Sequence, residues 1–205
     1  MLPPVKNHID RATATFNTIP GNRKKILLKI SEYISNKLKA GEQANLLFVG
    51  THNSRRSIIG QIWGQTAAAY YEINNVKTFS AGTEASAFNP NAVNAIERAG
   101  FRVRKEKEGA NPIYRLYFEE GASSIICFSK TYNDGTIPKD NLCAIMTCSE
   151  ADSNCPDIPG TELRISCPYD DLKAFDETPQ QEEKYSECCF QIATELLFVF
   201  SNVKK

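Results

Sequence analysis

The feature that most constrains this chain is a continuous apolar run, Leu46-Leu47-Phe48-Val49, that passes directly into a polar loop from Gly50 to Ser57 and then into a helical pattern. A run with no polar side suits a strand buried on both faces, which occurs where helices cover both sides of a parallel sheet. Ile58, Ile62, Thr66 and Ala69, flanked by Ile59, Trp63 and Ala67, supply the helix, with Trp63 read as packing. A strand, a short polar loop and a helix in that order are the first part of a crossover unit. The remaining chain must then provide parallel partners for the strand.

Those partners are sought by periodicity. Val76 to Ser80 reads as a second strand, and Asn89-Pro90 opens a helix that runs to Ala99 and stops at Gly100. Residues 102–112 read as a charged loop and 113–118 as an edge strand, with 124–128 and 142–147 as two more buried strands. Residues 148–180 read as irregular, and a last helix runs from about Gln181 to Phe200. Before the first strand, Val5, Ile9, Ala12 and Phe16 and then Leu27, Ile30, Ile34 and Leu38 repeat at helical spacing around an Ile19-Pro20-Gly21 break. The expectation is a three-layer α/β/α domain over residues 45–205, with a central parallel sheet of about four strands. A helical hairpin over residues 1–44 precedes it.

Composition narrows function only by exclusion. Lys plus Arg is 24 and Asp plus Glu is 24, so a formal charge of zero gives no reason to expect nucleic acid or an anionic membrane as partner. No apolar stretch approaches the ~20 residues of a membrane span, and no apolar segment follows Met1-Leu-Pro-Pro, so the expected location is the cytoplasm. Seven Cys without scaffold spacing read as free thiols in a reducing compartment.

In an open parallel sheet, sites form where strands end and helices begin, which directs attention to residues 50–57. Thr51, His52, Asn53, Ser54, Arg55, Arg56 and Ser57 form a candidate anion site. Unpaired N–H groups at a helix start, and a compact loop of successive N–H groups, favour an oxyanion. Arg56 offers a planar fork to two oxygens. Asn53 suits a left-handed position and side-chain bonds that hold the loop. Ser57 can cap the helix or steady a thiolate, His52 is read as scaffolding, and Arg55 as exposed, adding positive field. The competing reading is an ordinary polar strand–helix turn.

The stretch from Gly50 to Ser57, with Ser80-Ala81-Gly82-Thr83 and Asn89-Pro90-Asn91-Ala92-Val93, resembles the low-molecular-weight protein tyrosine phosphatases and thioredoxin-coupled arsenate reductases. The resemblance covers roughly residues 45–200. It implies attack of a loop thiolate on phosphorus or arsenic, with Arg56 and the loop N–H groups on the equatorial oxygens. It implies phosphate, sulfate or arsenate as ligand, with no cofactor or metal. The partner would be a small oxyanion or a phosphotyrosine protein. Cys148 and Cys155, six residues apart, resemble the redox segment, in which the first Cys attacks the arsenic-bearing thiol and the second resolves the disulfide for thioredoxin to reduce. Cys127, Cys143 and Cys167 read as core residues. Tyr169-Asp170-Asp171-Leu172 resembles the acid loop; its register assigns the general acid to Asp171, although Leu172 in place of Pro leaves Asp170 as an alternative.

One position departs from the pattern. The nucleophilic Cys of the family stands six residues before the Arg, and here that position is Gly50. A thiolate is the nucleophile in this chemistry. The expectation is therefore no phosphocysteine or thiol–arsenate adduct at position 50. An oxyanion- or phosphotyrosine-binding pseudo-enzyme and a thiol redox switch are the alternatives.

Overall fold

The computed structural model describes residues 1–121 and 124–204. Its elements are α1 (Pro3–Thr13), α2 (Gly21–Lys39), β1 (Ala44–Gly50), α3 (Arg56–Tyr70), β2 (Val76–Gly82), α4 (Pro90–Arg98), β3 (Arg102–Lys107), β4 (Ile113–Tyr117), β5 (Ile125–Cys127), β6 (Leu142–Met146), α5 (Ser149–Asn154), β7 (Thr161–Ser166) and α6 (Gln181–Ser201). Short 3₁₀ turns lie at Phe16–Thr18 and Leu172–Phe175.

Four parallel strands make the central sheet in the order β2-β1-β6-β7, with β1 registering Gly50 against Gly82 and Val49 against Met146. Every residue of β1 is buried, as its uninterrupted apolar run requires. Its side chains alternate between two cores. Leu46 and Phe48 join the larger one under α1, α2, α3 and α6, while Leu47 and Val49 join a smaller one with Met146, Cys148, Ala151 and Cys155. Helix α3 approaches the sheet closely because Gly60 has no side chain: a Cβ there would lie 2.6 Å from the Phe48 ring.

The strand assignment changes in three segments. The fourth strand of the sheet is β7, inside the segment expected to be irregular. The segment around 124–128 instead contributes β5 to a separate antiparallel sheet, β3-β4-β5. Residues 102–107, expected as loop, form β3, the outer strand of that sheet, so β4 is central rather than an edge. Strand β7 is mostly not buried and β3 is exposed along all but Val103, and both carry charges, which removes the apolar signal from the sequence.

The two N-terminal helices share the main core. Val5, Ile9, Leu27, Ile30 and Ile34 are fully buried, and Arg23 on α2 pairs with buried Glu195 on α6 at 2.8 Å. His8 on α1 stacks on Trp63 of α3 at 4.9 Å, confirming Trp63 as packing. No described helix is long and apolar enough to cross a membrane.

Candidate functional site

Gly50 ends β1 and Arg56 begins α3, so residues 51–55 turn the chain through a tight loop. The loop's carbonyls are engaged from outside. Gly50 O accepts from Thr83 N, Thr51 O from Glu84 N, Ser54 O from Asn89 N, and His52 O from the Ser129 hydroxyl at 2.9 Å. With the carbonyls turned away, the N–H groups are left over. Among the described residues, no backbone N–H of residues 51–55 donates to a protein acceptor. Arg56 and Ser57 follow in the first helical turn, where N–H groups have no partner within the helix. The result is a row of donors converging at a helix N-terminus, the arrangement that holds an oxyanion.

Asn53 fixes this geometry. It is buried and left-handed, with φ of 44°, a conformation Asn tolerates better than most residues. Its side chain donates to Ser57 Oγ at 3.0 Å and accepts from Lys130 N at 2.9 Å. The Ser54 hydroxyl donates to Ala87 O at 2.7 Å. The ring of His52 is half-exposed and faces Glu84, 3.2 Å from Nδ1 to the carboxylate.

The two arginines divide their work. Arg56 donates to Tyr169 O at 2.8 Å and to Asp171 Oδ1 at 3.2 Å. Arg55, expected to be exposed, is 15% exposed and turned away into an ion pair with Asp176 at 2.5 Å and a bond to Tyr185 Oη at 2.6 Å. Tyr185 also donates to Asp176 at 2.5 Å. Burial works against the Asp176 carboxylate, but the bonds from Tyr185 and Arg55 and the Arg55 charge outweigh it and hold its pKa below the usual value. Burial and Asp176 push the Tyr185 phenol up to about 12. Arg55 therefore anchors the segment following Asp171, and its charge is compensated within the protein.

The loop floors a cavity of about 250 Å³ whose other walls are Thr147, Glu150, Asp171 and Lys173. Asp171 thus stands at the cavity and Asp170 does not. Gly50 lies at its head. A Cβ there would sit 3.3 Å from Ser57 Oγ and 3.4 Å from Thr147 Oγ1, and Gly50 is not among the glycines with positive φ, so the backbone does not demand glycine.

Cys148 approaches the site, with its sulfur 3.4 Å from Thr51 Oγ1. The Thr51 hydroxyl donates to the Glu150 carboxylate at 3.1 Å. Cys155 does not line the cavity. It lies buried beyond α5, its pKa raised by burial against the opposing charge of Arg164. All seven cysteines are free and buried. Burial pushes the Cys127, Cys188 and Cys189 thiols up to about 12 and Cys167 to about 11, as suits inert core thiols. Among the described residues, no three His, Cys, Asp or Glu side chains gather as a metal site. Thr147, Glu150, Lys173, Tyr185 and Asp176 were not singled out by sequence. Thr147 follows the end of β6, beside β1, so the strand-end rule would have found it had the sheet order been known.

No family model matches the chain. It is 30% identical to an arsenate reductase of Brevibacillus brevis over 126 residues, 62% of this chain and 75% of that relative. It is 29% identical to an arsenate reductase of Bacillus cereus over the same shares. Among solved structures it resembles a low molecular weight phosphotyrosine phosphatase of Vibrio cholerae O395, with a TM-score of 0.52 at 14% identity, covering 77% of this chain and 95% of that one. An arsenate reductase in the oxidized state gives a TM-score of 0.50 at 17% identity, covering 79% of this chain and all (100%) of the other.

Proposed function

The chain belongs to the arsenate reductase family, and on that premise we propose that it binds a tetrahedral oxyanion of the phosphate or arsenate type in the loop of residues 50–57, with no thiol nucleophile at the loop's head. The observation that carries this reading is the row of N–H groups without protein acceptors, facing a cavity that the Arg56 side chain also lines. Neither depends on a side chain at position 50. The anion takes the loop N–H groups on its oxygens and draws the Arg56 fork from Asp171 and Tyr169 O onto two of them. Asp171, at the cavity wall, is the acid that would protonate a leaving oxygen if a nucleophile were present.

A second role is favoured by the 3.4 Å approach of Cys148 to Thr51. It places one member of the Cys148/Cys155 pair beside the anion loop, so that its thiol state is sensed there. Thioredoxin is the reductant this reading implies for the oxidised pair.

Calorimetric titration with inorganic phosphate and with arsenate tests the anion site. The wild-type protein should bind both, and Arg56→Ala should lose most of the affinity. Absence of binding in both proteins would end the reading.

A further inference from the structure

A second cavity of about 1000 Å³ lies between the free edge of β2 in the main sheet and the free edge of β5 in the second, and shares no lining residue with the anion cavity. Its walls are mostly apolar and include Phe79, Ile125, Ile126 and Phe128. Ile126 is 43% exposed, one of two large apolar residues so exposed among those described.

One charge is built into this wall. Lys130 is 6% exposed. Its ammonium donates to Phe128 O at 3.2 Å and Ser80 O at 3.4 Å and lies 4.2 Å from the Phe128 ring centroid. None of these partners carries a charge. Cys127 and then Asp134 act on it only through space; Asp134 Oδ1 accepts from the N–H and hydroxyl of Thr136. At the rim, Glu119 is taken by the N-terminal ammonium at 2.9 Å, and Lys77 adds a second positive charge. Burying an ammonium without a carboxylate is costly, and burial pushes the pKa of Lys130 down. A cavity of this size with mostly apolar walls and a buried charged residue in its lining has the usual form of a small-molecule site.

We propose that this cavity binds a small amphiphilic carboxylate, its chain against Phe79, Ile125, Ile126 and Phe128 and its carboxylate on the Lys130 ammonium. The ion pair supplies the missing counter-charge, and the chain covers the apolar surface that Ile126 leaves in water. The proposal does not rest on the anion loop reading, although the Lys130 N–H bonds Asn53 of that loop, and its test uses no phosphate or arsenate.

The probe is octanoate, with octanamide as its neutral counterpart, titrated by calorimetry into the wild-type protein, Lys130→Met and Ile126→Glu. Lys130→Met removes the charge while keeping the backbone N–H and C=O that bond to Asn53 and Gly82. The wild type should bind octanoate roughly tenfold or more tighter than octanamide. Lys130→Met should erase that preference without losing octanamide, and Ile126→Glu, at an exposed position, should weaken octanoate by a similar factor. Equal affinity of the wild type for both probes would overturn the proposal. So would an unchanged octanoate preference in Lys130→Met, or no binding up to about 5 mM.

Discussion

Arg56 donates to the Asp171 carboxylate across 3.2 Å, so the group that would receive the anion is already turned toward the candidate acid. The carboxylate occupies one arm of the guanidinium fork while the other arm holds Tyr169 O at 2.8 Å. An incoming oxyanion must compete with Asp171 for Arg56.

The competition is weak, because the Asp171 side chain is 60% exposed and exposed pairs contribute about 0–1 kcal/mol. Asp171→Asn should therefore tighten phosphate binding by no more than about fivefold. Calorimetry at low salt checks the direction. Weaker binding in the variant would mean that Asp171 assists the bound anion instead of competing with it.

Asn53 is the residue on which the loop's shape depends most. Asn53→Ala removes two buried hydrogen bonds, leaves the Lys130 N–H without its acceptor and places Ala in a left-handed conformation. The expected cost is about 2–4 kcal/mol of stability. Denaturant melts measure it, and phosphate titration of the same variant should show weakened binding. A loss below about 0.5 kcal/mol would show that the loop is held by other bonds.

His8 should make stability fall with acid. Burial lowers its pKa to about 4 from an ordinary 6.5, and its Nε2 is buried without a partner. The folded chain keeps the ring neutral where the unfolded chain protonates it. The contribution is therefore whole above pH 6.5 and is lost as pH falls toward 4, by at most about 1.4 kcal/mol per pH unit. His8→Phe should flatten this slope in melts taken between pH 7 and 5. An unchanged slope would assign it to other groups.

Oxidation should select among the seven cysteines. Cys127, Cys188 and Cys189 are held as thiols by burial, and the thiolate is the reactive form. Cys148 lies beside a hydroxyl at the edge of the anion cavity. Mild diamide treatment followed by peptide mapping should find a Cys148–Cys155 disulfide, reversed by thioredoxin. Oxidation elsewhere with both of these thiols free would remove the redox reading.

The sequence revealed the site better than the fold around it. The buried run of β1 and the helical spacing of α3 located the loop, because both are strong apolar signals. Strand β7 was hidden because Glu162 and Arg164 interrupt an edge strand whose residues are mostly not buried. Strand β3 was hidden for the same reason, its exposed face carrying Lys and Arg. Arg55 could not be read as buried, since Asp176 and Tyr185 stand 121 and 130 positions away and meet it only in the folded chain. Asn53 was legible because a left-handed position within a polar loop has few suitable residues.

If residues 50–57 form an intact oxyanion nest lacking only a nucleophile, a thiol placed at its head should have a depressed pKa. In Gly50→Cys, the pH dependence of iodoacetamide alkylation reports that pKa. A Cβ there makes a tight 3.3 Å contact that the Ser57 hydroxyl relieves by shifting a few tenths of an ångström, and the unpaired N–H groups, the α3 N-terminus and Arg56 all stabilise the thiolate. The thiol pKa should lie well below the free value of ~8.5, returning toward it in Gly50→Cys combined with Arg56→Ala. A value at or above ~8.5 in the single variant would contradict it, since no nest that fails to stabilise a thiolate would hold a phosphate.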